Sequence, residues 1–149
     1  MPERIELLNH APLIVEQAVN WGEMDSYAHV NNVMYFRYFE NARMEYFLRI
    51  GLFEFERKTG IGPILAAVHA RFRRPLKFPD VISISGKIVT MGEDRFTFEH
   101  RIVSHEHNAV TTEGESLIVT YDYREEKKTP IPPELRKAIE ELEGKSFEP

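Results

Sequence analysis

Cysteine is absent from the 149 residues, which excludes a disulfide framework, a thiolate nucleophile and a Cys-ligated metal site. Positive charge is not in excess either. Nineteen Lys and Arg stand against 24 Asp and Glu, a formal net charge of -5, which excludes the overall basic footprint of a nucleic-acid binder. No apolar run approaches the roughly 20 residues that cross a bilayer. The opening stretch from Met1 to Glu6 lacks the basic and apolar regions of a secretory leader. From these absences we expect a cytoplasmic protein that partners neither membrane nor nucleic acid. A glycine-rich phosphate loop, an internal repeat and a low-complexity segment are also missing.

What is present is core-forming material. The chain is 42% hydrophobic, with ten Phe and six Tyr, a composition that buries a core rather than staying disordered. Its length suits one ordinary domain over residues 1–149, with a core at about 12–125 and a C-terminal helix at about 133–143.

Residues 12–20 read as a strand, closed by the turn-prone Asn20 and Gly22. A loop follows from Trp21 to Val30. From Asn31 or Asn32, either a good N-cap, no Gly or Pro intervenes until Gly51, so the spacing predicts a helix of some 18 residues stopped by that glycine. Tyr35, Phe39, Ala42, Tyr46 and Ile50 centre one face. Met34, Phe36, Phe47 and Leu48 fall outside it, so the helix is expected to be wrapped by other structure rather than laid on a surface.

Residues 52–58 suggest a short further helical turn, and Thr59 to Pro63 a break. Strand-like segments then run over 64–72, 81–91, 95–104 and 109–123. The stretches 92–94 and 105–108 serve as hairpin connections. Alternation with period two over 81–89 and 96–103 is that of strands with one buried face. Pro132 and Pro133 introduce a surface helix ended by Gly144. The order implies an α+β fold in which a curved antiparallel sheet wraps a long central helix.

Polar groups concentrate at the entrance of that helix. Asp25 and His29 lie in the loop, and the first free N–H groups of the helix, at its positive dipole end, follow at once, so an oxyanion could be held there. Taken alone, Asp25 also fits a turn residue bonded to its own backbone, and His29 a packed loop residue. Asn31 and Asn32 suit capping, with one of them orienting Asp25 as the alternative. Tyr35, Tyr38 and Phe39 suit the core, and Tyr35 also suits an acyl pocket. Glu40, beside Arg37 and Arg43, suits a surface ion pair. The pair His105 and His107 has metal-ligand flavour but lacks helical spacing and sits in a turn, so no metal is expected.

Asp25, His29, Val30, Asn31, Asn32, Tyr35, Tyr38 and Glu40, together with the later stretch Arg73, Arg74, Pro75, Leu76, Lys77, Phe78, Pro79 and Asp80, form a pattern that resembles the 4-hydroxybenzoyl-CoA thioesterase family of hotdog proteins. The resemblance covers most of residues 14–123. It implies a hotdog fold and an acyl-CoA thioesterase needing no cofactor. Asp25 would be nucleophile or general base, and the backbone amide of Asn32 would polarise the thioester carbonyl. His29 would help at the carbonyl, as in acyl-ACP thioesterases, although Tyr27 replaces the asparagine that those enzymes carry. Asn31, Tyr35, Arg73, Arg74 and Lys77 would contact substrate, the basic residues through CoA phosphates. Exposed sheet edges imply a homodimer or homotetramer. Other readings are an acyl-ACP thioesterase, a hydratase on the same fold, or a non-catalytic acyl-CoA binding and sensing module.

Overall fold

The computed structural model describes residues 3–147. A short helix α1 (Arg4–Leu7) leads into strand β1 (Leu13–Ala18). A single 3-10 turn (Trp21–Glu23) and the loop to Asn31 come next, then helices α2 (Asn32–Ile50) and α3 (Leu52–Thr59). Strands β2 (Ile61–Phe72), β3 (Val81–Met91), β4 (Arg95–Ser104), β5 (Ala109–Asp122) and β6 (Lys127–Lys128) follow, with helix α4 (Pro133–Glu143) last. The expected elements are present. Helix α1 and strand β6, four and two residues long, carry too little pattern to be expected from sequence.

All the strands join one antiparallel sheet in the order β1-β3-β4-β5-β2, with β6 beside β5. Helix α2 lies in the concave face, and the result is the hotdog arrangement. Its start is fixed by Asn31, whose side-chain oxygen accepts the Val33 N–H at 2.9 Å. Its end is fixed by Gly51 at φ 77, a left-handed position where a Cβ would be strained.

Strand β2 begins at Ile61, not after the expected break at Pro63. As an edge strand it has one side free of ladder bonds, and there a proline costs nothing. Strand β3 departs from one-faced burial. Ser83 and Ser85 are as buried as Ile82 and Ile84, because structure also covers the convex face. Part of that cover is the N-terminal segment, tied across the sheet by Asn9 to Glu99 at 2.9 Å, Lys87 to the Asn9 carbonyl at 3.0 Å and Arg101 to the Leu7 carbonyl at 3.2 Å.

Tyr35, Tyr38, Phe39, Ala42, Tyr46, Phe47 and Ile50 bury the inner face of α2 against Ile82, Ile84, Ile88, Phe98 and Ile102. The Phe39 ring stacks on the His100 imidazole at 4.9 Å and lies against the backbone of Gly114, where a Cβ would come within 2.4 Å of it. The helix can sit this close to β5 because position 114 has no side chain. The sheet wraps α2 as expected, while Val33, Phe36, Met44 and Leu48 stay exposed on its outer side. One chain supplies half a jacket.

Helix α4 is more than a surface element. Leu135 and Ile139 enter the core, and the Glu143 carboxylate accepts the Ile88 N–H at 2.9 Å and the Tyr46 hydroxyl at 2.5 Å. Among the described residues no helix is long and apolar enough to cross a membrane.

Candidate active site

The loop between β1 and α2 is shaped by Asp25 itself. Its Oδ1 accepts the Tyr27 N–H at 2.8 Å and the His29 N–H at 3.2 Å, while its own N–H donates to the His29 carbonyl at 2.7 Å. Ala28, at φ 61, completes the tight turn. The turn-residue reading of Asp25 is therefore correct, and the loop uses Oδ1 while leaving Oδ2 uncommitted. A bridge between Met24 and Val30 closes the loop at its base.

Glu23 couples this loop to the helix. Its carboxylate accepts the Tyr38 hydroxyl at 3.0 Å and the Asn20 N–H at 2.8 Å, and its carbonyl accepts the Asn31 N–H at 2.9 Å. Burial and the hydrogen-bonded Glu23 drive the Tyr38 hydroxyl far above its ordinary pKa, so it stays a donor at every working pH. Tyr38 is thus more than the core residue expected, and Glu23 was not singled out from sequence at all. A Glu three residues after Asn20 was the available signal, since the pair forms a capping box around the 3-10 turn.

Asp25, His29, Val30, Asn32, Tyr35, Phe72, Arg73, Arg74 and Pro75 surround a cavity of about 220 Å³. Leu76 ties the β2–β3 connection to the site by two bonds: its carbonyl accepts the Val30 N–H at 2.9 Å and its N–H donates to the Tyr35 hydroxyl of α2 at 3.2 Å. Tyr35 packs edge-on against Phe72 at 4.8 Å. Burial first, and then the negative field of Asp25, raise the Tyr35 pKa, while the Leu76 N–H opposes them, so this hydroxyl remains neutral beside the carboxylate.

The Asn32 N–H opens the helix, so no carbonyl of an earlier turn is in reach, and it donates to no protein acceptor among the described residues. Asp25 and Asn32, the residue that carries this free donor, line one cavity. His29 lines the wall and gives its backbone to the turn.

The other expected contacts divide. Tyr35, Arg73 and Arg74 line the cavity, but Arg73 is committed to Glu113 at 3.0 Å. Asn31 does not line it, because its side chain is turned back to cap the helix. Lys77 lines a neighbouring cavity instead. Phe72 and Pro75, unexpected from the sequence, complete the walls. Phe72 stays 46% exposed between the exposed Arg71 and Arg73, and its ring meets Tyr35, a contact no local pattern announces. Tyr27, at the position of the replaced asparagine, points to solvent at 80% exposure.

Glu40 pairs with Arg37 at 3.4 Å, as expected. Arg43 departs from that reading: it is buried and donates to Ser116 at 2.9 Å, and Ser116 also bonds His100 at 3.0 Å. His105 Nε2 meets Ser83 Oγ at 2.7 Å, yet Glu16 approaches that same nitrogen, at 3.9 Å, so the three form no relay in which an acid orients the far side of the ring. Among the described residues no cluster could hold a metal ion.

Known proteins are similar to the chain in sequence and in fold. Residues of the chain are 33% identical over 94 positions to zebrafish protein THEM6, a match that covers 63% of this chain and 46% of that protein, so the chain spans less than half the length of that relative. The long-chain acyl-CoA thioesterase FadM of Escherichia coli is 22% identical over 119 residues, 80% of this chain and 90% of FadM. Among solved structures, the PA2801 protein of Pseudomonas aeruginosa superposes with a TM-score of 0.77 at 30% identity, covering 87% and 98% of the two chains. A Thermus thermophilus thioesterase complexed with coenzyme A and zinc gives 0.80 at 25%, covering 91% and 96%. The model of the thioesterase-like superfamily matches residues 19–139, and the chain belongs to that family.

Proposed function

We propose that this chain is a thioester hydrolase that converts an acyl-CoA to the free acid and CoA, working as a single hotdog domain. The observation that carries the reading is that Asp25, with one carboxylate oxygen uncommitted, and Asn32, whose N–H is unused, line one cavity. Thioester hydrolysis asks for little else. Asp25 takes a proton from water as the water oxygen bonds to the carbonyl carbon, and the carbonyl π electrons move onto oxygen, where the Asn32 N–H and the helix dipole stabilise them. Collapse of that intermediate breaks the C–S bond, and the proton held by Asp25 leaves with the thiolate. Direct attack by Asp25, followed by hydrolysis of the acyl-aspartate, uses the same two groups.

The site is expected to be completed by a second copy. Strand β2 is a twelve-residue edge carrying exposed Ile64, Leu65 and Phe72, and beside it α2 exposes Val33 and Phe36. A long apolar edge of this kind is covered by pairing. Two copies joined β2 to β2 would extend the sheet and place the partner's strand near the cavity wall at Phe72. The minimum assembly is a homodimer, and two such dimers would make a tetramer.

A thiol-release assay over short, medium, long and aromatic acyl-CoAs tests the activity. Release from at least one of them is expected. A folded protein that binds acyl-CoA without releasing thiol would point to a sensing module instead.

A further inference from the structure

Under helix α2 lies a buried cation with no counter-ion. Arg43, 5% exposed, donates from Nη1 to the Ser116 hydroxyl at 2.9 Å and forms no ion pair with any described residue. Glu40, one turn earlier, is turned to Arg37 at 3.4 Å. The Nε and Nη2 groups of Arg43 carry no protein partner, and neither is sealed from accessible space. Burial holds the Arg43 pKa below its ordinary value, opposed by the field of Glu40, yet a guanidinium stays charged. A buried charge is costly unless it is paired, so free donors here suit an anion.

Three contacts set Arg43 in line with the catalytic cavity. Tyr35, Phe39 and Arg43 follow one another at four-residue steps on one face of α2. Each reaches the sheet in turn: Tyr35 packs on Phe72 at 4.8 Å, Phe39 lies on Gly114, the register partner of Ala70, and Arg43 bonds Ser116, the register partner of Val68. The helix row and the edge-strand row therefore run together. They also match in length, about 12 Å from the helical rise over residues 35–43 and about 13 Å from the strand rise over 68–72. Ala70 and Val68 face the core and still are only half-buried, so a groove between the two rows stays open.

We propose that Arg43 selects the acyl group: the acyl chain runs from the Asp25 and Asn32 end along the groove between α2 and β2, and a carboxylate at its far end is received by the Arg43 guanidinium. The proposal rests on the thioesterase reading and adds the substrate class, CoA monothioesters of medium-length dicarboxylic acids. The planar guanidinium offers paired N–H donors that match a carboxylate. Phe39, Ala70 and Val68 flank the way to it, which suits methylene groups between the two polar ends. A plain fatty chain would end against the same cation with nothing to pair it.

Thiol release is compared between adipoyl-, suberoyl- and sebacoyl-CoA and their partners of equal length, hexanoyl-, octanoyl- and decanoyl-CoA. In the wild type the ratio of kcat/KM within a pair, dicarboxylic over plain, is expected to exceed one for at least one length. Arg43→Met is expected to lower that ratio more than about tenfold, the loss of a charge-assisted hydrogen bond. Its melting temperature should not fall, since an apolar side chain relieves an unpaired buried charge. Arg43→Lys keeps a cation and should retain part of the preference. Calorimetry on Asp25→Asn reads the same preference as binding of suberoyl-CoA against octanoyl-CoA.

A ratio of one or below for every pair in the wild type overturns the proposal, and so does an unchanged ratio in a folded Arg43→Met. If no thioester is hydrolysed, binding decides: tighter binding of suberoyl-CoA leaves the carboxylate seat standing while the catalytic reading fails. Equal binding, or none, overturns both.

Discussion

The Asp25 carboxylate commits Oδ1 to the turn and leaves Oδ2 free for the proposed chemistry, and this makes its substitution informative. An asparagine in its place would keep an oxygen for the Tyr27 and His29 N–H groups, so Asp25→Asn should preserve the turn while removing the charge proposed to activate water. His29 offers the site only a wall and a backbone. His29→Ala is expected to cost less than about tenfold in kcat/KM, against more than about a hundredfold for Asp25→Asn, the usual range for a lost general base. Parallel assays of the two variants check the ranking.

His100 is a residue of another kind, buried and neutral. Burial, reinforced by the Arg43 charge and opposed by the Ser85 carbonyl, pushes its pKa down to about 3. Between the ordinary value of 6.5 and that lowered one the unfolded chain binds a proton that the folded chain refuses. Stability is thus fully present above 6.5 and drains as pH falls, by up to about 1.4 kcal/mol per pH unit. Thermal melts of wild type and His100→Gln between about pH 7 and 5 are expected to show the gap between them narrowing as the pH falls.

At the scale of elements, the contact of α2 with the sheet depends on Gly114. Gly114→Ala would drive a methyl into the Phe39 ring, a strain of about 1–3 kcal/mol, and Phe39→Leu should recover part of it. Denaturant titration of the single and double variants checks the coupling. The boundaries of α2 were legible in sequence because local chemistry sets them: Asn31 for the cap and Gly51 for the stop. So was the place of Asp25, which depends on its spacing from the helix start. Less was legible where distant residues decide. Burial of Arg43 needs Ser116 from another strand, the loss of Arg73 to Glu113 needs the β2–β5 register, and Lys77 lies in another cavity because the 73–80 connection folds back toward the β4–β5 turn. None of these pairings leaves a periodic or local trace.

For the whole molecule, β2 is where the proposed pairing of copies and the proposed activity are tested together. Leu65, 44% exposed on that edge, is the place to probe. Leu65→Glu is expected to lower the mass found by light scattering toward that of one chain, since a charge there opposes strand pairing, and to reduce turnover with it. A wild type already monomeric would remove the dimer from the account. The central claim is the pairing of one carboxylate with one helix amide. A single assay tests it most directly, thiol release from acyl-CoA by wild type and by Asp25→Asn, with acyl-CoA binding measured on both. The expected result is turnover by the wild type and its loss in a variant that still binds. Equal rates for the two proteins would contradict it.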